Sequence, residues 1–556
     1  MIFKKYLKIS LLFILPIIYT IIIGRYGLED SDSGFIIGMG WRILNGEMPY
    51  KDFFYVRPPL SPYLSAFYLW LTPKYGQIFL LRLINNYQLL LQVFLTLIIL
   101  KKNYNFKKLK IDIYIFTILC YFITLMGTLY FQWHTTDGIF FAVLGCFLIT
   151  HFENKNIFYF IAGLFFCASM LTKQNFIVIP FLGIFFVFLQ KGIWKSLLVI
   201  FGVISGLIFF YIYLFYNNLF ADYLMLTSGA TSIKDLFIAG FIFYFIKHEY
   251  VYLYLTIVII CFLFCFYISR KYKFLYLKLN AHSLFFLLSI FILFLFSSTY
   301  ILIFETNERI IAFDRLLPVI VTIVFFYLFL LKKEFLKEHY SLIMLMGFSW
   351  SSSISWGGMT PIMYFTPVVF STYYILKIYT DSLSSQYVNY IIFFLIIGIS
   401  IFQKLVPYRN GFFWKNKNDG EILTNKLAFI KVNNDFFYKH LEYKKILNKY
   451  SKTTTLPSMP GASYYYDKNN PFVIDWSMDV ESNYNSKILL EKINTCCDFI
   501  IVEKKNFGQP IGTSGKFYSS VTDYVIHNFK LIDQSYSYFD VYQSENRQDT
   551  LLYKKN

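Results

Sequence analysis

Charged side chains are scarce in this chain of 556 residues: Asp, Glu, Lys and Arg together make up 15%, whereas 57% of the residues are hydrophobic and 22% are aromatic. So little charge cannot cover the apolar surface that a soluble protein of this size would expose. The composition therefore excludes an ordinary soluble enzyme and predicts an integral membrane protein.

Acidic residues are also fewer than basic ones, 33 against 51, so that the formal net charge is +18. This excess does not indicate nucleic-acid binding, because the basic residues form short clusters between apolar runs and not one basic face. If the N-terminus is cytoplasmic, the clusters obey the positive-inside rule. They are Lys4, Lys5 and Lys8, residues 101–110, Lys191 and Lys195, residues 270–273, and residues 332–337.

Several familiar motifs are missing. The chain has neither a P-loop nor a strand-linked Gly-x-Gly-x-x-Gly segment, so no nucleotide is expected. The seven cysteines have no metal or redox spacing: five lie in apolar runs, and the adjacent Cys496 and Cys497 are not expected to pair with each other. No small-residue cleavage site follows the run 9–23, which is therefore expected to be an anchor.

Apolar runs long enough to span a bilayer number about thirteen. An odd number places the polar tail, residues 406–556, on the side opposite the N-terminus, together with the first loop, residues 25–76. The predicted organisation is a transmembrane domain over 1–405, in an inner or plasma membrane, followed by a small extracytoplasmic α/β domain. The predicted spans are 9–24, 77–100, 111–131, 138–152, 157–171, 176–189, 196–216, 250–269, 283–304, 316–331, 340–350, 361–379 and 388–404.

Within the tail, residues 499–502 are expected to form a buried strand, and a helix is expected within 421–450. The turn-rich segment 456–461 and the tyrosines after it either face an acceptor or form an ordinary surface loop.

The first loop contains most of the reactive side chains. Glu29, Asp30 and Asp32 follow the first apolar run, and residues 35–44 have the spacing of an amphipathic helix on the membrane face. Arg57 precedes two prolines, which restrict its backbone.

Three segments of this loop resemble the polyprenyl-phosphate-sugar glycosyltransferases of the GT-C superfamily, which include protein O-mannosyltransferases and lipid A aminoarabinose transferases. The family has an acidic turn, a Gly-x-x-Pro-Tyr-x-Asp-Phe-like segment, and a Lys or Arg before Pro-Pro-Leu. Ser33 replaces the family's Glu, and Asp30 and Asp32 both remain candidates for the acidic position. The matching segments here are Asp32-Ser33-Gly34, Gly46-Glu47-Met48-Pro49-Tyr50-Lys51-Asp52-Phe53 and Arg57-Pro58-Pro59-Leu60.

The resemblance implies a GT-C-like helical fold and three further site residues. Asp137 stands where the family has an Asp near the lipid phosphate or a metal, and otherwise caps a helix. Lys173 matches a Lys-Gln pair, and otherwise extends to the membrane interface. Arg315 matches an Arg before Leu-Leu-Pro, and otherwise joins an ion network. His134 with Asp137 forms a weak metal signature, which leaves a divalent cation open.

The implied reaction is a single displacement with inversion. Asp32 or Asp30 takes the proton of an acceptor hydroxyl as its oxygen attacks the anomeric carbon of a polyprenyl-phosphate sugar. Arg57, Lys173 and Arg315 stabilise the departing phosphate. The rival interpretation is a transporter or lipid flippase, although no internal repeat was found and the polar groups gather on one face. The sequence requires no cofactor, and the expected partners are the lipid-linked donor, a hydroxyl acceptor and the bilayer.

Overall fold

The computed structural model describes the first loop almost completely, most of the tail and more than half of the helical part. Four predicted spans, 250–269, 283–304, 316–331 and 388–404, lie outside the described residues, as do Asp30 and Arg315. The described stretches are residues 2–28, 32–127, 131–228, 335–354, 364–379, 412–457, 459–476, 486–504 and 520–543.

Helices dominate the chain before the tail. A π-helical turn, Thr20–Gly24, extends the first helix, and a 3₁₀ turn, Gln174–Ile177, precedes the eighth. The helices are α1 (Ile2–Tyr19), α2 (Asp32–Leu44), α3 (Leu60–Leu71), α4 (Gln77–Asn103), α5 (Ile113–Gly127), α6 (His134–His151), α7 (Asn156–Met170), α8 (Val178–Lys191), α9 (Ile193–Tyr216), α10 (Phe220–Thr227), α11 (Phe335–Ser353) and α12 (Thr366–Tyr379).

Four of the described helical segments are long and apolar enough to cross a membrane. They are Tyr6–Gly24, Gln77–Asn103, Gln174–Lys191 and Ile193–Tyr216. These helices agree with the prediction of a helical membrane protein. They do not confirm the predicted number of about thirteen spans.

Close helix crossings build the core of the bundle. A Cβ added at Gly163 of α7 would lie 2.2 Å from the backbone oxygen of Val199, and one at Gly202 of α9 would lie 2.1 Å from that of Phe160. Only glycine allows the two backbones to approach so closely, as in membrane helix pairs with small residues at the contact. The chain reverses between α8 and α9 at Gly192, whose φ is +80°, and the three helices α7, α8 and α9 pack against one another.

Among the described residues, basic side chains from three of the predicted clusters form ion pairs with acidic residues in the segments that connect the helices. Glu153, between α6 and α7, pairs with Lys102 at 3.0 Å and also with Lys191. Lys8 pairs with Asp112 at the start of α5. The two lysines bonded to Glu153 lower the pKa of its carboxyl to about 2. The end of the bundle that bears the first loop and the tail is formed by the opposite termini of the same helices.

The tail is an α/β domain built on a four-stranded sheet in the order β3-β4-β6-β5. Strands β3 and β4 are parallel and the other pairs are antiparallel. The predicted strand at 499–502 is confirmed by β4. The elements are β1 (Asn418–Asp419), β2 (Lys431–Val432), α13 (Asn434–Lys449), β3 (Thr453–Leu456), α14 (Ala462–Tyr466), α15 (Ser486–Cys496), β4 (Phe499–Glu503), α16 (Ser520–Asn528), β5 (Lys530–Asp533) and β6 (Phe539–Gln543).

One expectation about the tail is confirmed and one is wrong. The helix expected near 421–450 is α13, which begins at Asn434 because Lys431 is held extended by backbone hydrogen bonds to Arg25 and Gly27 and the Asn433 side chain then caps the helix. The absence of a bond between the two neighbouring cysteines is the expectation that is wrong. The adjacent Cys496 and Cys497 are joined by a disulfide at the end of α15.

Candidate active site

Helix α2 is the element on which the site is built, and over residues 32–42 it lacks the exposed face that its amphipathic pattern predicts. Every residue from Asp32 to Arg42 is buried. The tail covers one side: a Cβ at Gly34 would lie 2.3 Å from the Gly461 nitrogen, and one at Gly38 would lie 2.1 Å from the Pro460 oxygen. Helix α3 covers another side, where a Cβ at Gly40 would meet Ser65.

The segment 456–461, predicted as a surface loop or an acceptor-facing loop, belongs to this contact. Its Pro460–Gly461 end packs on α2, and Tyr464 and Tyr465 just after it are buried. Tyr464 also donates to Gln77 Oε1 of α4 at 2.9 Å. This segment is therefore one of the parts of the tail that dock on the first loop.

Arg57 is held in place by bonds to the backbone around it. Tyr50 Oη donates to the carbonyl of Arg57 at 2.7 Å, and the Leu60 amide donates to Leu171 O at 3.1 Å. Gln174 bonds the carbonyl of Val56. Because three bonds hold this short proline-stiffened stretch, the position of the Arg57 backbone is well determined.

The guanidinium of Arg57 lies over the ring of Phe35, 5.3 Å from its centroid, and near the ring of Tyr55 at 5.9 Å. The residue is only 9% exposed. Cation–π contacts of this kind stabilise a desolvated guanidinium. Phe35 lies three residues after Asp32 on α2, so the two share one helix face about one turn apart.

Lys173 and His134 complete the cluster of polar groups. Lys173 is 8% exposed, so the alternative in which it extends to the membrane interface is wrong. His134 begins α6 and is 1% exposed, and the positive charges of both Lys173 and Arg57 act on its imidazole. The structure thus brings Arg57, Lys173 and His134 together, from three different segments. Asp32 lies one helical turn before Phe35, the ring that Arg57 contacts.

Asp137 is held by neighbouring polar side chains, and its proposed place near the donor phosphate or a metal stays a prediction. It lies in the first turn of α6, but it does not cap the helix, and the capping expectation is wrong. Its two oxygens instead accept hydrogen bonds from neutral donors: Ser61 at 2.8 Å, Gln132 at 3.0 Å and Gln88 at 3.1 Å. Since Ser61 follows the Pro-Pro pair, Asp137 ties the Arg57 segment to α4 and α6.

Metal ligands are sparse around this cluster. Among the residues that the structure describes, no three His, Cys, Asp or Glu side chains are grouped so that they could hold a metal ion. His134 and Asp137 are three residues apart on α6, but the Asp137 oxygens already accept three bonds.

A charged group joins the tail to α2 beside the cluster. Arg42 donates to Glu47 at 2.5 Å, to Asp475 at 3.1 Å and to the carbonyl of Phe472 at 3.1 Å. Burial raises the pKa of the Glu47 carboxyl, although Arg42 acts on it in the opposite direction. The backbone amide of Phe54 donates to Val473 O at 2.7 Å.

Aromatic rings surround Phe35, and one of them comes from the tail. Its centroid lies 6.2 Å from that of Tyr55, 6.3 Å from Trp133 and 5.3 Å from Trp476. Sequence reasoning did not single out Trp476, because no spacing pattern links it to the first loop.

In comparisons with protein-family models, curated proteins and solved structures, the chain matches none of them significantly. The resemblance to GT-C glycosyltransferases thus depends on the short sequence motifs alone.

Proposed function

We propose that this protein is a membrane glycosyltransferase that moves a sugar from a polyprenyl-phosphate donor to a hydroxyl acceptor. The observation that supports it is the convergence of two buried cations, Arg57 and Lys173, on His134, next to the helix that begins with Asp32. Buried cations from separate segments suit a phosphate that must be recognised outside bulk water.

The proposed chemistry is one displacement. The acceptor oxygen forms a bond to the anomeric carbon, the bond from that carbon to the phosphate oxygen breaks, and the acceptor proton passes to the Asp32 carboxylate. The electron pair leaves with polyprenyl phosphate, where Arg57 and Lys173 stabilise the charge. Asp30 and Arg315 stay as candidates for the base and for a third cation. The step consumes no nucleotide or other cofactor.

The apolar helices supply the setting for such a donor. Its isoprenoid tail dissolves in the bilayer, and its phosphate lies where the helices end, beside the first loop and the tail. In this proposal the N-terminus is cytoplasmic, and the active site faces the outside of a cell membrane. Glycolipid, polysaccharide and protein are all acceptors that the proposal allows.

The test is incubation of the purified full-length protein with a panel of polyprenyl-phosphate sugars, with release of free polyprenyl phosphate as the readout. We expect release from at least one donor, dependent on an added acceptor and abolished in a variant with both Asp32→Asn and Arg57→Ala. Equal release by that variant would refute the proposal. Movement of the lipid across a vesicle membrane without loss of its sugar would favour a flippase instead.

A further inference from the structure

Trp476 is the aromatic side chain that the tail contributes to the centre of the site. Its ring meets that of Phe35 edge-on, with centroids 5.3 Å apart and planes at 72°. The Arg57 guanidinium contacts the same Phe35 ring, also at 5.3 Å. Trp476 and the proposed phosphate-binding cation are therefore neighbours of one phenyl ring.

The stretch around Trp476 is held on α2 by a set of buried bonds. Asp475 bonds both Arg42, at 3.1 Å, and Asn470, at 2.7 Å. Two residues earlier, Val473 O accepts from the Phe54 amide, which lies in the same loop as Arg57. A residue with such anchored neighbours has a defined position, as a specificity-determining residue requires.

The indole nitrogen of Trp476 lacks a hydrogen-bond partner among the residues that the structure describes, and it is buried. The side chain is 8% exposed. Buried Trp nitrogens usually have an acceptor, and a buried donor without one costs roughly 1–3 kcal/mol. A donor N–H beside an aromatic face is the combination that recognises a sugar, which offers hydroxyl oxygens at its rim and C–H groups on its face.

We infer that Trp476 binds the sugar ring of the lipid-linked donor. The inference builds on the proposed function, because it takes Arg57 as the contact to the donor phosphate. In such a donor the sugar is joined directly to that phosphate. A side chain next to Arg57 is therefore closer to the donor sugar than to an acceptor. The tail is then a part of the donor site, and Trp476 helps to select which sugar the protein binds.

The experiment compares two lipids and two matched variants in the full-length protein. The lipids are a polyprenyl-phosphate sugar that the wild type uses and bare polyprenyl phosphate, and the measurement is the dissociation constant of each. Trp476→Phe keeps a ring against Phe35 and removes the N–H. Trp414→Phe is the control, because Trp414 is also in the tail but is 49% exposed and stacks on Phe412.

We expect Trp476→Phe to weaken binding of the glycosylated lipid by about tenfold, to leave bare polyprenyl phosphate unchanged, and to keep the wild-type unfolding midpoint. Trp414→Phe should bind both lipids as the wild type does. Unchanged binding of the glycosylated lipid in Trp476→Phe, or equal weakening of both lipids, would overturn the inference and leave the proposed function standing. A wild type that binds neither lipid would overturn both.

Discussion

Arg42 of α2 donates to the carboxylate of Asp475 in the tail across 3.1 Å, although the two residues are 433 positions apart in the chain. Their side chains are 2% and 4% exposed. Removing one partner of a buried ion pair leaves a charge that neither water nor protein compensates. The pair therefore acts as a latch, a buried ion pair that holds the tail on the first loop.

The first prediction concerns this latch. Asp475→Ala should lower the free energy of unfolding by about 3 kcal/mol or more, because the buried Arg42 then keeps Glu47 as its only carboxylate among the described residues. Chemical unfolding in detergent measures the change. The matched control is Asp435→Ala in the first turn of α13, an exposed position where we expect a much smaller effect. Equal losses in both variants would contradict the latch.

A second prediction concerns the contact between α2 and the tail. Gly38→Ala adds a methyl group 2.1 Å from the Pro460 carbonyl oxygen, so backbone must shift, at a cost of about 1–3 kcal/mol. We expect faster cleavage in the tail during limited proteolysis and reduced transfer. Gly24→Ala is the control, since its new Cβ meets nothing nearer than 3.6 Å. Identical cleavage rates for wild type and Gly38→Ala would show that the tail does not depend on this contact.

A third prediction concerns the proposed base. Asp32→Asn keeps the size of the side chain and removes its basicity, so the rate of sugar transfer should fall by about a hundredfold or more with little change in donor affinity. Transfer is followed as release of polyprenyl phosphate. Asp435→Asn serves as control, because it makes the same exchange at the start of another helix. Full activity of a variant with both Asp30 and Asp32 changed would rule out the base.

The fourth prediction separates donor binding from chemistry. Arg57→Ala removes the cation over Phe35, and the loss of a charge-assisted contact should raise the KM for the donor by about tenfold to a hundredfold. Arg57→Lys should recover only part of it, because the ammonium cannot bond two phosphate oxygens as a planar guanidinium does. Lys449→Ala, which removes a surface cation of the tail, should leave KM unchanged. If Arg57→Ala has the wild-type KM, the phosphate role is wrong.

The fifth prediction tests whether Asp137 acts through Ser61. Asp137→Asn turns one of its two oxygens into an NH₂ group that faces a donor, so we expect a loss of roughly 1–3 kcal/mol in the free energy of unfolding. In a double-mutant cycle with Ser61→Ala, the two changes should not add, because they remove the same bond. Strict additivity would mean that Asp137 does not hold the Arg57 segment.

Some of these features were accessible from the sequence because they are local. The apolar runs predict membrane helices, the short apolar run at 499–502 predicts β4, and the charge and prolines around Arg57 mark the loop segment that the structure anchors. Each of these depends on residues that are near one another in the chain. The chemical roles of Asp32, Arg57 and Lys173 stay predictions.

The remaining features depend on contacts between distant segments. The pattern of α2 predicts a helix with one face in lipid, but the tail covers it through Pro460 and Gly461, which no periodicity reveals. Asp137 looks like a helix cap in sequence, whereas its hydrogen-bond partners come from α3, from α4 and from the segment that precedes α6. Trp476 has no motif around it, and only its contact with Phe35 identifies it.

The backbone pairing of Gly27 and Lys431 has a consequence for how the molecule is made. The Gly27 amide donates to Lys431 O at 2.9 Å, so this stretch finds its backbone partner only after about 400 further residues (431 − 27 = 404) have been synthesised. A chain truncated before the tail would insert its helices without the cover that Pro460 and Gly461 give to α2. The apolar face left open on that helix would be a site for proteases of membrane quality control.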